Sequence, residues 1–176
     1  MIAEDPLARV MHEMPYGLYI IGSKEADGVK VNGMMADWVM QVSFQPRLIA
    51  VAFENDAHTL GNLRKHGVFT VNLLSADKES MDLARPFAQP HSGTKVRGRE
   101  GAEATAIHYK LDGLDYRLTD RGCPVLNAAM SWCECEAEQY VEIGDHTLVV
   151  GRVLEGRVER DAEPLTSTYT GWTYSG

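Results

Sequence analysis

Short apolar segments, separated by turns rich in glycine, proline, asparagine and aspartate, constrain the fold of this chain most strongly. They predict strands at residues 18–21, 29–32, 38–43, 47–53, 68–74, 129–141 and 147–154. Only a few intervals show the 3.6-residue period of a helix, and no strand–helix–strand alternation favours a parallel sheet. We therefore expect a mostly β protein with a few short helices, arranged as an antiparallel barrel.

Two helices are predicted between the central strands. Asp56 is expected to cap a helix that ends at Gly67, because glycine readily adopts the left-handed conformation that follows a helix. Ser75 is expected to cap the next helix, and Pro86 to end it, since proline disrupts a helix interior.

The remaining segments lie towards the ends of the chain and in one long loop. Residues 5–14 predict a short amphipathic helix with Asp5 as N-cap and an apolar stripe formed by Leu7, Val10, Met11 and Met14. Residues 88–105 are polar and rich in glycine, which predicts a long loop that is either a lid or disordered. With a tail at residues 160–176 and no repeat or linker, residues 1–176 are expected to form a single domain.

Composition excludes several classes of function. The net charge of −8 over 176 residues disfavours nucleic acid as a partner, because such binding requires clustered lysine and arginine. No apolar run approaches the roughly 20 residues that span a bilayer, so we expect no membrane partner. The acidic N-terminus resembles no secretory signal, which predicts a cytoplasmic location.

The three cysteines are expected to pack in the core or at an interface. An odd number argues against a disulfide framework. Cys133 and Cys135 share one face of a predicted strand, but no metal-binding spacing accompanies them. We therefore expect no metal site.

The most suggestive motif for function is the segment at residues 31–46, VNGMMADWVMQVSFQP, together with a later Gly-Asp-His at 144–146. The Asn32-Gly33 pair is typical of a tight turn with positive φ. Two methionines, an alanine and a tryptophan follow it. Backbone polar groups beside small and apolar side chains suit a flat, aromatic ligand.

Several blocks occur in an order that resembles the flavin reductase-like family. They are residues 17–21, 32–38, 43–46 with 48–51, 67–74, 83–84 with 87, 123–126, 132–135, and 144–146 with 151–153. The resemblance covers most of the chain from about residue 15 to residue 155. It implies a Greek-key split β-barrel of the FMN-binding type.

The resemblance also implies a function and a site. The function is that of an NAD(P)H-dependent flavin reductase, which moves a hydride from NADH or NADPH to FMN or FAD. A homodimer is implied, with a separate flavin-dependent monooxygenase as a further partner by analogy. The implied cofactor-binding residues are Met35, Ala36, Asp37 and Trp38 at the isoalloxazine, Ser43 beside them, and Glu54, Asn55, His58 and Thr59 at the ribityl chain and phosphate. His146 matches the family position near the nicotinamide, and is therefore the candidate catalytic residue.

The sequence departs from the family pattern at the isoalloxazine and near the phosphate. Met35 replaces a threonine that is frequent in the family, and Asp37 stands where Ser, Asn or Gln is common. An unpaired, buried carboxylate at Asp37 would disfavour negative charge on the reduced flavin. Few cations lie near the implied phosphate site, with Arg64 and Lys65 the nearest along the chain.

Alternatives remain open for the function and for individual residues. The chain could be a flavin-binding electron carrier without NAD(P)H turnover, or a non-catalytic split barrel for another planar ligand such as haem. His58 could serve only as a helix-start or solvent-facing residue. The tail aromatics Tyr169, Trp172 and Tyr174 could cover the nicotinamide pocket or pack on a partner subunit.

Overall fold

The computed structural model describes residues 6–89 and 108–172. Within these ranges the chain forms β1 (Tyr19–Lys24), β2 (Val31–Ala36), β3 (Val39–Ser43), β4 (Leu48–Glu54), β5 (Val68–Leu73), β6 (Tyr116–Leu118), β7 (Pro124–Leu126), β8 (Ser131–Ile143) and β9 (His146–Val158). The helices of the same ranges are α1 (Pro6–His12), α2 (His58–His66), α3 (Lys78–Ala84) and α4 (Ser167–Thr170), with a 3-10 turn at Arg85–Ala88. The prediction of a mostly β protein with a few short helices is confirmed.

Seven strands form one antiparallel sheet in the order β2-β1-β5-β8-β9-β4-β3, and β6 pairs with β7 in a separate ribbon. The two edge strands, β2 and β3, are joined by only Asp37 and Trp38. The ends of these strands therefore lie within about 11 Å of each other. Strands at opposite edges can meet in this way only if the sheet curls.

The main core lies within the curl of the sheet. It includes Ile21, Val51, Phe53, Phe69 and Val149, all fully buried. At Gly151 of β9 the sheet leaves no room for a side chain, because a Cβ there would lie 2.7 Å from Cζ of Phe69. The curvature and the packing of Phe69 thus depend on glycine at this position.

A second apolar cluster covers the outer side of β1. It combines Leu18, Phe87, Leu126 and Leu165 with Trp172 from the C-terminal segment. The segment is held by backbone hydrogen bonds from Leu18 N to Leu165 O and from Leu165 N to Leu74 O, at 2.9 and 2.8 Å. This cluster fixes the 3-10 turn and the tail beside β2.

The turn between β8 and β9 forms as the sequence predicts. Gly144 adopts a φ of 57°, which favours glycine, and β9 begins at His146. The turn at 26–28 also forms: Gly28 has a φ of 73°, and Asp27 Oδ1 accepts hydrogen bonds from the backbone N–H groups of Val29 and Lys30.

The structure corrects two predicted caps and one turn. Ala57, not Asp56, occupies the N-cap position of α2. Asp77, not Ser75, caps α3, and its Oδ1 accepts from Ser80 N at 2.7 Å. The Asn-Gly pair predicted as a turn lies instead within β2, where pairing with β1 outweighs its turn preference.

The N-terminal helix, the long loop and the absence of a membrane-spanning segment were also predicted from the sequence. The N-terminal helix forms as α1, two residues shorter than predicted at its C-terminal end, but its apolar stripe is exposed rather than buried. Asp5 and most of the loop at 88–105 lie outside the described residues. None of the helices in the described ranges has the length and apolar character required to cross a bilayer.

The cysteines pack without a disulfide. Cys123 and Cys135 are buried, and the Sγ atoms of Cys133 and Cys135 lie 3.9 Å apart on one face of β8. No cluster of His, Cys, Asp and Glu suited to a metal ion occurs within residues 6–89 and 108–172.

Candidate functional site

A cavity of about 570 Å³ lies where β2, β4, β9 and α2 converge. Its volume falls within the range typical of small-molecule sites. The lining residues come from seven parts of the chain, namely Leu18; Asn32 to Trp38; Ala52, Glu54 and Asp56 to Thr59; Phe87 to Gln89; Lys110; His146; and Trp172. The cavity therefore brings together segments that are far apart in the sequence.

The first wall is formed by the end of β2 and the two residues that follow it. Met35 pairs with Ile20 of β1, and Ala36 pairs with Tyr19, so β1 fixes the backbone of this wall. Gly33 allows the wall to approach the 3-10 turn, since a Cβ there would lie 2.8 Å from Cε1 of Phe87. Four predicted cofactor-binding residues, Met35 to Trp38, line the cavity together.

Asp37 is a partly buried carboxyl group in this wall. Burial raises the pKa of Asp37 above its usual range, although backbone N–H groups of Asp37 and Trp38 and the nearby His146 oppose the shift. Since burial penalises the ionised form, Asp37 takes up a proton more readily than an exposed aspartate.

His146 lies at the first position of β9, opposite Glu54 of β4. Its side chain is 10% exposed, and Nδ1 is 2.6 Å from Oδ1 of the exposed Asp145. This hydrogen bond holds the pKa of Asp145 below its usual range. Because Nδ1 is engaged by Asp145, Nε2 is the ring nitrogen through which His146 could bond a ligand.

Trp38 packs against His146 across the junction between the first wall and β9. The two ring centroids are 4.8 Å apart, with an interplanar angle of 40°. The backbone carbonyl of Trp38 also accepts a hydrogen bond from Ala52 N at 3.0 Å, which ties the segment to β4. The predicted catalytic residue and the predicted ring-binding segment are therefore adjacent.

The opposite wall is the end of β4 and the start of α2. Glu54, His58 and Thr59, all predicted cofactor-binding residues, line the cavity here. Ala57 at the N-cap position has no side-chain oxygen that could cap the first turn. A helix start of this kind can bind an anion through its backbone N–H groups.

Two predicted site residues do not line the cavity. Ser43 lies at the far end of β3, opposite Leu48. Asn55 supports the neighbouring turn instead: its Nδ2 donates to Gly144 O at 3.3 Å, and its Oδ1 accepts from Thr147 Oγ1 at 2.8 Å. Asn55 thus helps to position the turn that precedes His146.

The structure adds lining residues that the sequence motifs did not indicate. Lys110 is buried. Its backbone N–H donates a hydrogen bond to Asn32 Oδ1 at 3.1 Å, and its Nζ donates to Phe87 O at 3.3 Å. Trp172 brings one tail aromatic to the cavity, whereas Tyr169 is exposed and Tyr174 lies outside the described residues. These residues belong to no local motif, since they reach the cavity only through tertiary packing.

Comparisons with known proteins agree with this arrangement. A family model described as flavin reductase like domain matches residues 11–173. The chain is 28% identical to a flavin reductase of Pseudomonas putida, over 89% of this chain and 81% of that protein. It is 30% identical to an NAD(P)H ferric-chelate reductase of Archaeoglobus fulgidus, over 88% of this chain and 83% of that protein.

A solved structure supports the same relationship. An NADH:FAD oxidoreductase of Streptomyces globisporus, in complex with NAD and FAD fragments, aligns with a TM-score of 0.72 and 25% identity. The alignment covers 91% of this chain and 85% of that one.

Proposed function

This chain belongs to the flavin reductase like domain family, and from that membership we propose that it is an NAD(P)H:flavin oxidoreductase. The observation that carries the proposal is the cavity at which residues 35–38, His146 and the start of α2 meet. The proposed flavin is FMN, with FAD as the alternative, and the proposed co-substrate is NADH or NADPH.

The chemistry of the cavity lining fits a flavin. Met35, Trp38 and Phe87 offer apolar and aromatic surface for a planar ring, and the backbone around Ala36 offers polar groups at its edge. The start of α2, with Thr59, offers backbone and hydroxyl groups for a phosphate. A bound flavin supplies the redox chemistry by accepting a hydride from the nicotinamide.

Within this proposal, the chain's own residues bind and orient the two rings. Residues 35–38 would hold the isoalloxazine, and His146 would bond the nicotinamide through Nε2. Glu54, His58 and Thr59 would contact the ribityl chain and phosphate, and Asn55 would act from outside the cavity lining by positioning the turn that precedes His146. Since transfer between stacked rings depends on close positioning, no protein nucleophile is required.

We propose that residues 1–176 form one domain and that its sheet is a Greek-key split β-barrel. The short link between the edge strands β2 and β3 supports this architecture, because it brings the two edges of the sheet together.

We also propose that the protein is a homodimer. Apolar side chains of α1, of β3 and of the turn that follows β3 are exposed, with Leu7 75%, Met40 61% and Phe44 87% accessible. Apolar surface of this extent is typical of a protein–protein interface. Reduced flavin that leaves such a dimer could supply a separate monooxygenase, which is the partner proposed from the family resemblance.

An anaerobic titration tests the proposed function. The purified protein is mixed with FMN, and binding is followed by quenching of flavin fluorescence. NADH or NADPH is then added without oxygen. Loss of the flavin absorbance near 450 nm within seconds is the expected result.

The same titration separates the alternatives. Flavin that stays oxidised with both nicotinamides, and is reduced only by dithionite, would identify an electron carrier and contradict the proposal. A protein that does not bind FMN but binds haem would identify the non-catalytic alternative.

A further inference from the structure

Asp37 is a carboxyl group that the fold holds in the cavity wall although burial penalises its charge. It follows β2 directly and lines the cavity. Its carbonyl accepts a hydrogen bond from Val39 N at 3.0 Å, and the carbonyl of the next residue, Trp38, accepts one from Ala52 N at the same distance. The backbone that carries the carboxyl group is therefore fixed on both sides of the turn between β2 and β3.

A second carboxyl group, Glu25, shows how a buried charge near this cavity can be compensated. It is 7% exposed and lies behind two lining residues: Asn32 Nδ2 donates to Oε1 at 2.9 Å, and His58 Nε2 lies 2.5 Å from Oε2. Asn62 Nδ2 also donates to Oε2, at 3.4 Å. Burial raises the pKa of Glu25, but the hydrogen bonds from these three side chains outweigh it and leave the pKa below its usual range.

Asp37 has no comparable set of side-chain donors. Within residues 6–89 and 108–172, no lysine or arginine forms an ion pair with it, and its pKa is raised by burial. Lys110 lies near Asn32 and Phe87, at the opposite end of β2, and five residues of extended strand span about 16 Å. Because the usual pKa of an aspartate is about 4 and two backbone N–H groups oppose the rise, Asp37 is ionised at neutral pH.

The reaction under the proposed function changes the charge beside this carboxylate. A hydride carries two electrons and one proton, so its transfer converts NADH to NAD⁺ and gives the flavin ring one net negative charge. A fixed negative charge near the ring disfavours this reduced form, whereas the oxidised ring is uncharged. Since residues 35–38 are proposed to hold the ring, the Asp37 carboxylate lies beside the group that gains the charge.

We propose that Asp37 sets the difference in affinity between oxidised and reduced flavin: its carboxylate weakens binding of the reduced form and so promotes its release. This inference rests on the proposed function, because it assigns a role within the same site. Release of the reduced form is also the step that supply to a separate monooxygenase would require.

The midpoint potential of bound FMN tests the inference, because its difference from that of free FMN is set by the ratio of the dissociation constants of reduced and oxidised FMN. Binding of oxidised FMN is measured by fluorescence quenching, and the potential by anaerobic equilibration with a reference dye. Asp37→Asn removes the charge with little change in shape. We expect it to lower the ratio of reduced to oxidised dissociation constants about tenfold, as for like charges roughly 10 Å apart in a partly buried site. A tenfold change raises the potential of a two-electron couple by about 30 mV.

Two further carboxylate-to-amide variants are matched controls. Asp56→Asn removes a charge from the cavity lining just before α2, where the proposed phosphate keeps its charge when the ring is reduced. Asp27→Asn removes a charge from the exposed turn after β1 and controls for the change in net charge. Neither variant should change the ratio of the two dissociation constants.

Two results would overturn the inference. An unchanged ratio in Asp37→Asn would show that the carboxyl group carries no charge that acts on the ring. An equal change in Asp56→Asn would assign the effect to the total charge of the cavity rather than to Asp37. If Asp37→Asn does not fold, Asp37→Ser supplies the same comparison with a neutral side chain. A wild-type protein that does not bind FMN would instead overturn the proposed function, and this inference with it.

Discussion

Two carboxyl groups, Asp37 in the cavity lining and Glu25 behind it, differ in the direction in which their environment shifts the pKa. Asp37 is partly buried with few donors, so burial dominates and its pKa is raised. Glu25 is more buried, but three side-chain donors surround it and its pKa is lowered. The sequence indicated Asp37 through its motif, whereas Glu25 could not be identified because its partners meet only in the folded chain.

Asp37→Asn is expected to stabilise the protein at neutral pH. Because the pKa of Asp37 is raised on folding, the ionised carboxyl destabilises the folded state, and this cost is absent where the group is protonated in both states. The gain in the free energy of unfolding should therefore be present at neutral pH and disappear as the pH falls below the usual aspartate value of about 4. Urea unfolding over a pH series measures it, and a gain that persists unchanged in acid would contradict this explanation.

His146→Ala is expected to reduce kcat/KM for NADH about tenfold or more, since a hydrogen bond to a polar ligand group and the packing against Trp38 are lost together. Binding of FMN should change less. Asp145→Asn keeps the ring in place and serves as the control with a smaller effect. Unchanged NADH kinetics in His146→Ala would remove this residue from the site.

At the scale of elements, the order of strands and turns was predictable. The residues that cap the helices, and the place of Asn32-Gly33 inside a strand, were not. The end of α2 at Gly67 followed from its αL preference, and its φ is 70°. The predicted cap at Asp56 was wrong. Helix α2 begins at His58, so its N-cap is Ala57, one residue later than predicted. Likewise, pairing with β1 places Asn32-Gly33 within β2, whereas the local sequence predicts a turn at this pair.

Two glycine substitutions in and after α2 should have opposite effects. Gly67→Ala is expected to lower the free energy of unfolding by about 1 kcal/mol, because alanine is strained in the left-handed conformation. Gly61→Ala should raise it by about 0.5 kcal/mol, since Gly61 lies inside the helix and a Cβ there meets no atom within 4 Å. Urea denaturation measures both, and shifts in the same direction would contradict the assigned helix boundary.

At the scale of the whole molecule, the family order of motifs indicated where the site residues would gather. Seven of the nine predicted cofactor-binding residues, together with His146, line one cavity, and Ser43 and Asn55 lie outside its lining. The tail and Lys110 were harder to place, because neither belongs to a motif: the tail is placed by the packing of Leu165 and Trp172 in the second apolar cluster, and Lys110 by its hydrogen bonds to Asn32 and Phe87. The exposed stripe of α1 shows the same limit, since an amphipathic pattern does not specify what covers its apolar face.

A charge in the exposed apolar surface should weaken the proposed homodimer. Met40→Lys places a cation on β3, and we expect it to shift the wild-type dimer towards monomer in size-exclusion chromatography with light scattering. Val29→Lys is the control, because Val29 is 83% exposed in the turn between β1 and β2. A wild-type protein that is monomeric at all concentrations tested would contradict the proposed dimer.

The central claim is that the cavity between residues 35–38 and the start of α2 binds the flavin, and a crystal structure with FMN tests it most directly. We expect electron density for the isoalloxazine beside Ala36 and Trp38, with the phosphate at His58 and Thr59. Flavin density at another surface, or a cavity filled by the protein's own side chains at saturating FMN, would contradict it.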